Sequence, residues 1–373
     1  MVYEARDLIN QRKIEHLEIC IREKVEPEGA STWFEEITLL HNPLPEINLN
    51  EINTSTVFLN HEFKAPIFVS GMTGGHPQAK KVNMAIAKVV EKLGIGMGVG
   101  SQRAVLKNKD LEDTFSVVRE YAPTAFIVGN IGASQLVMEK YDLEMLEKLV
   151  EMVDANALAI HLNPLHECVQ IEGEPYYKGV LERVKELAEN LSVPVLLKET
   201  GCGFSKEAAL KAAQARISGI EIGGAGGTSF ALVEYYRALR KGNMYAARIA
   251  GSFVTWGIPT AISICEVRSV TSIPLIASGG IRNGIEVAKA LALGADLAGV
   301  ALPVLRSYSN GGVEGVEEYL RKLIDELKIT MFLTGCSSLR DLRRIPLVVS
   351  SRFNEWLKQR KIDLDFIRNK SPA

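Results

Sequence analysis

The sequence has no Cys-x-x-Cys pair; its cysteines (Cys20, Cys168, Cys202, Cys265 and Cys336) are odd in number and scattered. That argues against a disulfide framework or a cysteine metal knuckle, and for free, packed thiols in a reducing cytoplasm. Long apolar runs are also missing. None approaches the roughly 20 residues of a membrane span, and residues 1–11 lack the apolar core of a secretory signal. There is no excess of either charge: a formal net charge of −2 gives no pull towards nucleic acid or an anionic membrane. Nor does a low-complexity linker or an internal repeat break the chain. What remains is an ordinary globular profile, 47% hydrophobic and 24% charged over 373 residues. That length fits one barrel with additions or two smaller domains.

Eight strand-like segments recur, at 66–70, 95–99, 126–130, 158–162, 195–199, 219–222, 275–278 and 299–302. Stretches with apolar residues at helical spacing lie between them, at 79–93, 111–121, 143–153, 179–190, 206–216 and 285–293. Strand–helix alternation implies parallel pairing, and eight repeats imply closure into a (β/α)8 TIM barrel. An open doubly wound sheet would carry a Gly-x-Gly-x-x-Gly turn after its first strand, and none follows Ser70. Three segments exceed the minimal barrel. Residues 1–64 form an N-terminal extension of mixed short elements, expected to cover the barrel mouth. Residues 228–271 insert helices (230–239, 246–256 and 260–270) between strands six and seven. Within a catalytic barrel unit of 65–335, a helix is expected at 314–333, and 336–373 is a tail packed on the barrel.

Pro274 to Gly280 reads P-L-I-A-S-G-G, and Ile281-Arg282-Asn283-Gly284 then opens a helix. Any α/β protein uses such a turn, but here it is also how barrels make a phosphate site. Glycines let N–H groups approach an anion, and the helix start adds partial positive charge.

Active sites of such barrels are built at the C-terminal ends of the strands. Those positions read Ser70-Gly71-Met72-Thr73, Gly100-Ser101-Gln102-Arg103, Gly129-Asn130, His161-Leu162-Asn163 with His166-Glu167, Lys198-Glu199, and Gly223 to Thr228. Singly, each has a turn or solvent reading. Lys198 is harder to dismiss, because V-L-L-K-E sets a cation on a buried strand, where it wants an anionic or electron-rich partner. Glycine-rich strand ends suit a flat ligand with a phosphate tail. FMN fits, with Lys198 beside its pyrimidine edge.

At this point the residues resemble a known family, the type 2 isopentenyl-diphosphate isomerases. Arg12-Lys13-Ile14-Glu15-His16, Met72-Thr73-Gly74-Gly75, Gly100 to Arg103, His161-Leu162-Asn163, Glu172-Gly173, Gly226-Gly227-Thr228 and Ser278 to Arg282 are similar to its motifs, in order. The resemblance implies interconversion of isopentenyl and dimethylallyl diphosphate in isoprenoid biosynthesis. The cofactors it implies are reduced FMN, NADPH or NADH as reductant, and Mg2+. It implies FMN contacts from Ser70, Gly71, Met72, Thr73, Ser101, Asn130, Lys198, Thr228, Gly279, Gly280, Ile281, Ala301 and Leu302. The diphosphate falls to Arg12, Lys13, Ser101, Gln102, Arg103 and His166, Mg2+ to Glu167, and the catalytic group is His161, Asn163, His166 and Glu234. A cytoplasmic homo-oligomer, tetramer or octamer, is expected, with no nucleic-acid or membrane partner.

The chain departs from the family pattern twice. His166 stands where the family usually has Gln, and Gly223 where it usually has Ser; the second exchange is expected to lose one flavin hydrogen bond, about 1 kcal/mol. The rival reading is an FMN-dependent oxidoreductase of the hydroxy-acid oxidase or dehydrogenase type. It needs a strand-end base beside a carboxylate-binding arginine, and its first candidates, Glu266 and Arg268, fall in a helical stretch.

Overall fold

The computed structural model describes residues 2–369. Its centre is a closed barrel of eight parallel strands: β1 (Ile67–Val69), β2 (Gly96–Gly98), β3 (Ile127–Gly132), β4 (Ala157–Leu162), β5 (Val195–Glu199), β6 (Gly219–Glu221), β7 (Leu275–Ser278) and β8 (Leu297–Val300), with β8 returning to β1. All the strands are buried along most of their length, as expected where helices cover one face and the barrel interior the other.

The principal helices are α1 (Val2–Arg22), α2 (Pro77–Leu93), α3 (Asp113–Tyr121), α4 (Leu143–Met152), α5 (Pro164–Val169), α6 (Val180–Asn190), α7 (Lys206–Gln214), α8 (Phe230–Arg240), α9 (Met244–Gly251), α10 (Thr260–Val270), α11 (Gly284–Ala292) and α12 (Leu302–Leu333). Local chemistry sets their ends. Asp142, Ser205, Ser229 and Asn283 each accept an N–H of the first turn, and Gly94 ends α2 in the left-handed conformation.

Three expectations need correction. Residues 2–22 are one long helix, not mixed short elements. From Arg12 onward it sets Arg12, Lys13 and His16 beside Leu17 and Cys20 at the barrel mouth, so polar and apolar residues share one face and no clean hydrophobic stripe marks it. The eighth strand is shifted to Leu297–Val300, and Leu302 starts α12 instead of ending a strand. That helix runs on to Leu333 through a kink at Gly311 and Gly312, the latter at φ 59°.

α1 lies over the C-terminal ends of the strands, where Ile19 packs with Val25, Val233 of α8 and Leu302 of α12. A short antiparallel pair, Ile37–Leu39 with Leu347–Val349, ties the segment after α1 to the C-terminal region. At the other end of the barrel, Phe58 and Phe63 of a small hairpin pack on Phe126, with ring centroids 5.8 and 5.7 Å away. One end is thus plugged by aromatics and the other left open. No helix among the described residues is long and apolar enough to cross a membrane.

Candidate active site

The strand ends open into a broad cleft, about 1700 Å3 when the solvent-open space at its mouth is included. That is room for a planar cofactor and a small substrate side by side. Strand register explains the polar residues on its floor. His161 of β4 is in register with Lys198 of β5, and Lys198 with Glu221 of β6. Register partners on neighbouring strands point the same way, so the three form one polar layer. Lys198 Nζ donates to Glu221 Oε1 at 2.6 Å, with both side chains buried. Glu221 was not anticipated from sequence, although the pairing needed by a buried lysine was.

Asn130 Nδ2 donates to the Val99 carbonyl at 3.0 Å, so its Oδ1 is the acceptor for His161 Nδ1, 2.8 Å away. This fixes the His161 tautomer, with Nδ1 protonated and Nε2 a bare acceptor. Burial, reinforced by Lys198 and His166, pushes its pKa down to about 3, so the ring is neutral. At the end of β5, next to Lys198, Glu199 Oε2 accepts N–H groups from Thr200, Gly201, Cys202 and Gly203. Burial raises this carboxyl to about 7 against the pull of those four donors.

The glycine-rich turns after β6 and β7 press together. A Cβ on Gly227 would lie 2.4 Å from the Gly280 nitrogen, and Gly226, Gly279 and Gly280 have φ of 110°, 106° and 80°. Only glycine serves at these positions. Among the described residues, the N–H groups of Gly227, Gly280 and Ile281 have no protein acceptor. Gly280 and Ile281 lead into the N-terminus of α11 and Gly227 packs against them from the turn before α8, an arrangement a phosphate fits.

α1 brings a cationic wall to the same cleft, since Arg12 and Lys13 line it together with Arg103. Lys13 Nζ donates to the Gly74 carbonyl at 2.6 Å, and a Cβ on Gly75 would lie 2.6 Å from that nitrogen. Burial, then repulsion from Arg12 and Arg103, lowers Lys13 to about 7. Burial also lowers Arg12, and Arg103 and Arg237 repel it further. Arg103 pairs with Glu174 at 2.7 Å and with Glu139. Two buried side-chain polar atoms among the described residues lack any partner, Ser70 Oγ and Arg103 Nε, and both residues line the cleft.

Ser70, Gly71, Met72, Thr73, Ser101, Asn130, Lys198, Thr228, Gly279, Gly280, Ala301, Leu302, His161, Asn163, His166 and Glu167 line the cleft as well. Three expected site residues, Gln102, Ile281 and Glu234, do not. Gln102 is fully buried and structural: its Nε2 donates to the Leu149 carbonyl at 2.8 Å, and its Oε1 accepts from Asn130 N at 2.8 Å. The side chain of Ile281 belongs to the core, leaving only its backbone N–H for a ligand. Glu234 sits behind the wall and accepts from His16 Nε2 at 2.6 Å and His166 Nε2 at 3.1 Å. His16 was quoted in a motif but given no role. Glu167 accepts from Asn163 Nδ2 at 3.0 Å and Glu174 N at 2.8 Å.

Gly223 sits in a crowded stretch just past the end of β6. At φ 47°, with the Glu199 carbonyl oxygen 2.2 Å from where a Cβ would sit, the backbone excludes a larger residue; Gly223 N donates to Ser278 Oγ at 3.1 Å. The thiols are not uniformly buried either. Cys265 and Cys336 are, whereas Cys168 is exposed.

Glu266 and Arg268 stay away from the cleft. Glu266 bonds Trp356, Arg360 and Lys206 N, and Arg268 bonds Asp296 at 2.6 Å.

A family model described as FMN-dependent dehydrogenase matches residues 167–348. An isopentenyl-diphosphate delta-isomerase of Methanosarcina barkeri is 47% identical over 94% of this chain and 95% of that protein. One from Thermococcus kodakarensis is 45% identical over 99% of both. A mandelate oxidase solved with (S)-mandelic acid is 18% identical, covers 90% of this chain and 97% of its own, and superposes with a TM-score of 0.59. At that identity the likeness is one of fold alone.

Proposed function

The chain belongs to the isopentenyl-diphosphate delta-isomerase family, and on that premise we propose that its cleft interconverts isopentenyl and dimethylallyl diphosphate, in isoprenoid biosynthesis, with reduced FMN and Mg2+. One observation supports this most directly: the cleft offers two separate anion sites. The glycine nest beside α11 suits the single phosphate of FMN, while Arg12, Lys13 and Arg103 form a second, mutually repelling cluster. Arg12 and Lys13, both held below their ordinary proton affinity by burial and by nearby cations, are relieved by a polyanion, and a diphosphate supplies it. A hydroxy-acid oxidase needs only a carboxylate there, and Glu266 and Arg268 lie elsewhere.

The residues fit FMN. Unpartnered Ser70 Oγ, the nest N–H groups and the Lys198–Glu221 pair offer a hydroxyl, a phosphate cradle and a fixed charge along the glycine-lined floor. Bound reduced FMN supplies an electron-rich surface and an exchangeable proton. In this reading the chain's own groups do the rest. Lys13 and Arg12 close the cleft through α1 and grip the diphosphate, and Arg103 turns to it from its two carboxylates. Glu167, a carboxylate oriented by Asn163 Nδ2, would be the residue to hold Mg2+, which would supply charge to neutralise a diphosphate. Neutral His161 presents Nε2 as an acceptor without placing a cation beside a developing carbocation. NADPH or NADH would be the reductant of a bound flavin.

The reading extends to a cytoplasmic homo-oligomer, a tetramer or octamer. Exposed Met244, Tyr245, Phe253 and Trp256 support the self-association. The decisive experiment uses purified protein. Its yellow colour should bleach with NAD(P)H, and isopentenyl diphosphate should then convert without net nicotinamide consumption. Stoichiometric nicotinamide turnover with an oxidised product would overturn the reading in favour of a dehydrogenase.

A further inference from the structure

We propose that His16, His166 and Glu234 form a binding site for a borderline divalent metal of the Zn2+ or Co2+ class, distinct from the Mg2+ position assigned to Glu167. Three of the chain's six histidines reach the cleft, and two of these converge on one atom. His16 Nε2 and His166 Nε2 lie 2.6 and 3.1 Å from the same oxygen, Oε1 of Glu234, and the three donor atoms fall within 4.8 Å of one another. An ion bound at about 2.0–2.1 Å to each donor needs separations near 3.3 Å, so small rotations of the two rings would admit it.

The donors come from three elements, α1, α5 and α8, and each is already oriented. His166 stacks on Phe230 at 4.5 Å between ring centroids, and His16 meets the same ring edge-on at 6.2 Å. Glu234 is 1% exposed, and its other oxygen, Oε2, takes Arg237 at 3.2 Å. Arg237 is in turn held by Glu15 and Glu172 at 2.7 and 2.6 Å. A ligand fixed through its second atom by a hydrogen-bonded partner is how protein metal sites are usually supported.

The chemistry selects the metal class. Two imidazoles and one carboxylate suit Zn2+, Co2+, Ni2+ or Fe2+, whereas Mg2+ prefers an all-oxygen shell. Burial lowers the proton affinity of His16, and the Glu234 carboxyl is held well below the usual range by the two histidines despite its burial. Neutral imidazole and ionised carboxylate are the forms that ligate. Arg12 is the unfavourable neighbour of His16, its charge is countered by Glu167 and Glu172, and Glu15, Glu172 and Glu234 neutralise Arg237. A glutamine at position 166 would supply a weak amide oxygen instead of a ring nitrogen, so the site arises from this chain's departure from the family pattern. Because His16 and His166 line the cleft, the ion would keep a position open to it and would pin α1 over the mouth.

The test uses tag-free, chelator-treated holoenzyme titrated with Co2+ and followed by its visible d–d bands and by calorimetry. One Co2+ per chain is expected, displaced by Zn2+ and unaffected by excess Mg2+. His166→Gln and His16→Gln, checked separately for flavin content and circular dichroism, should each weaken Co2+ by at least about tenfold. Glu167→Gln should leave Co2+ binding unchanged, which separates this site from the isomerase reading, where the same variant loses Mg2+-dependent activity. No Co2+ bound by the wild type overturns the proposal, and so does equal affinity in either folded histidine variant.

Discussion

Lys198 and Glu221 form a buried ion pair across two adjacent barrel strands, Nζ to Oε1 at 2.6 Å. The pair changes what removing the lysine should do. Lys198→Ala leaves a carboxylate buried without its partner, a loss of roughly 3–5 kcal/mol. Both the melting temperature and the flavin-to-protein ratio should fall. Adding Glu221→Gln should recover much of the stability while flavin retention stays low. Recovery of both would mean that the lysine acts on FMN only through the fold.

Arg12 and Lys13 line the cleft from α1. Replacing both with Ala should raise the KM for isopentenyl diphosphate by about 100-fold or more, each charged hydrogen bond being worth about 1.5–3 kcal/mol. FMN content should not change, because the glycine nest lies on other elements. An unchanged KM would reduce the two to surface charges.

Lys13 also sets a pH limit. With its pKa lowered to about 7 from 10.5, it is charged below that pH in the free enzyme and neutral above it. Diphosphate affinity should therefore weaken on the alkaline side, with kcat/KM falling above about pH 7, and Lys13→Arg should move that limb upward. The sign for stability is the opposite. Between about 7 and 10.5 the unfolded chain binds the extra proton, so this group makes the fold more stable as pH rises through that window.

Gln102→Ala separates structure from binding. The variant strands Asn130 N and the Leu149 carbonyl in the interior, at about 1–3 kcal/mol for each unsatisfied group. Thermal melting should register that loss, with the KM for diphosphate within about twofold of wild type. A selective rise in KM would return Gln102 to the substrate.

Gly223→Ser restores the residue usual in the family and should do harm. At φ 47°, with the Glu199 carbonyl oxygen 2.2 Å from the new Cβ, the variant should lose about 1–3 kcal/mol and bind FMN no more tightly. Tighter FMN with unchanged melting would support the lost-hydrogen-bond view.

Sequence alone determined the barrel, because eight apolar segments alternating with helical ones admit few closed arrangements, and strand and helix periodicities are local properties. It also placed most of the cleft, since strand ends are where such a barrel must put polar groups. Pairing and packing were decided by tertiary structure. The partner of Lys198 lies 23 positions away at Glu221 and is set by register between two strands. Gln102 reads like its neighbours Ser101 and Arg103, yet it stands at the N-cap of the short helix Arg103–Lys107 and its side chain turns inward to bond Asn130 and Leu149. The Glu199 carbonyl that crowds Gly223 comes from the neighbouring strand and is invisible in the sequence around it. His16, His166 and Glu234 meet only because α1 folds across the mouth. Contacts between elements so far apart in the chain leave no periodic signal, and only the packed barrel brings them together.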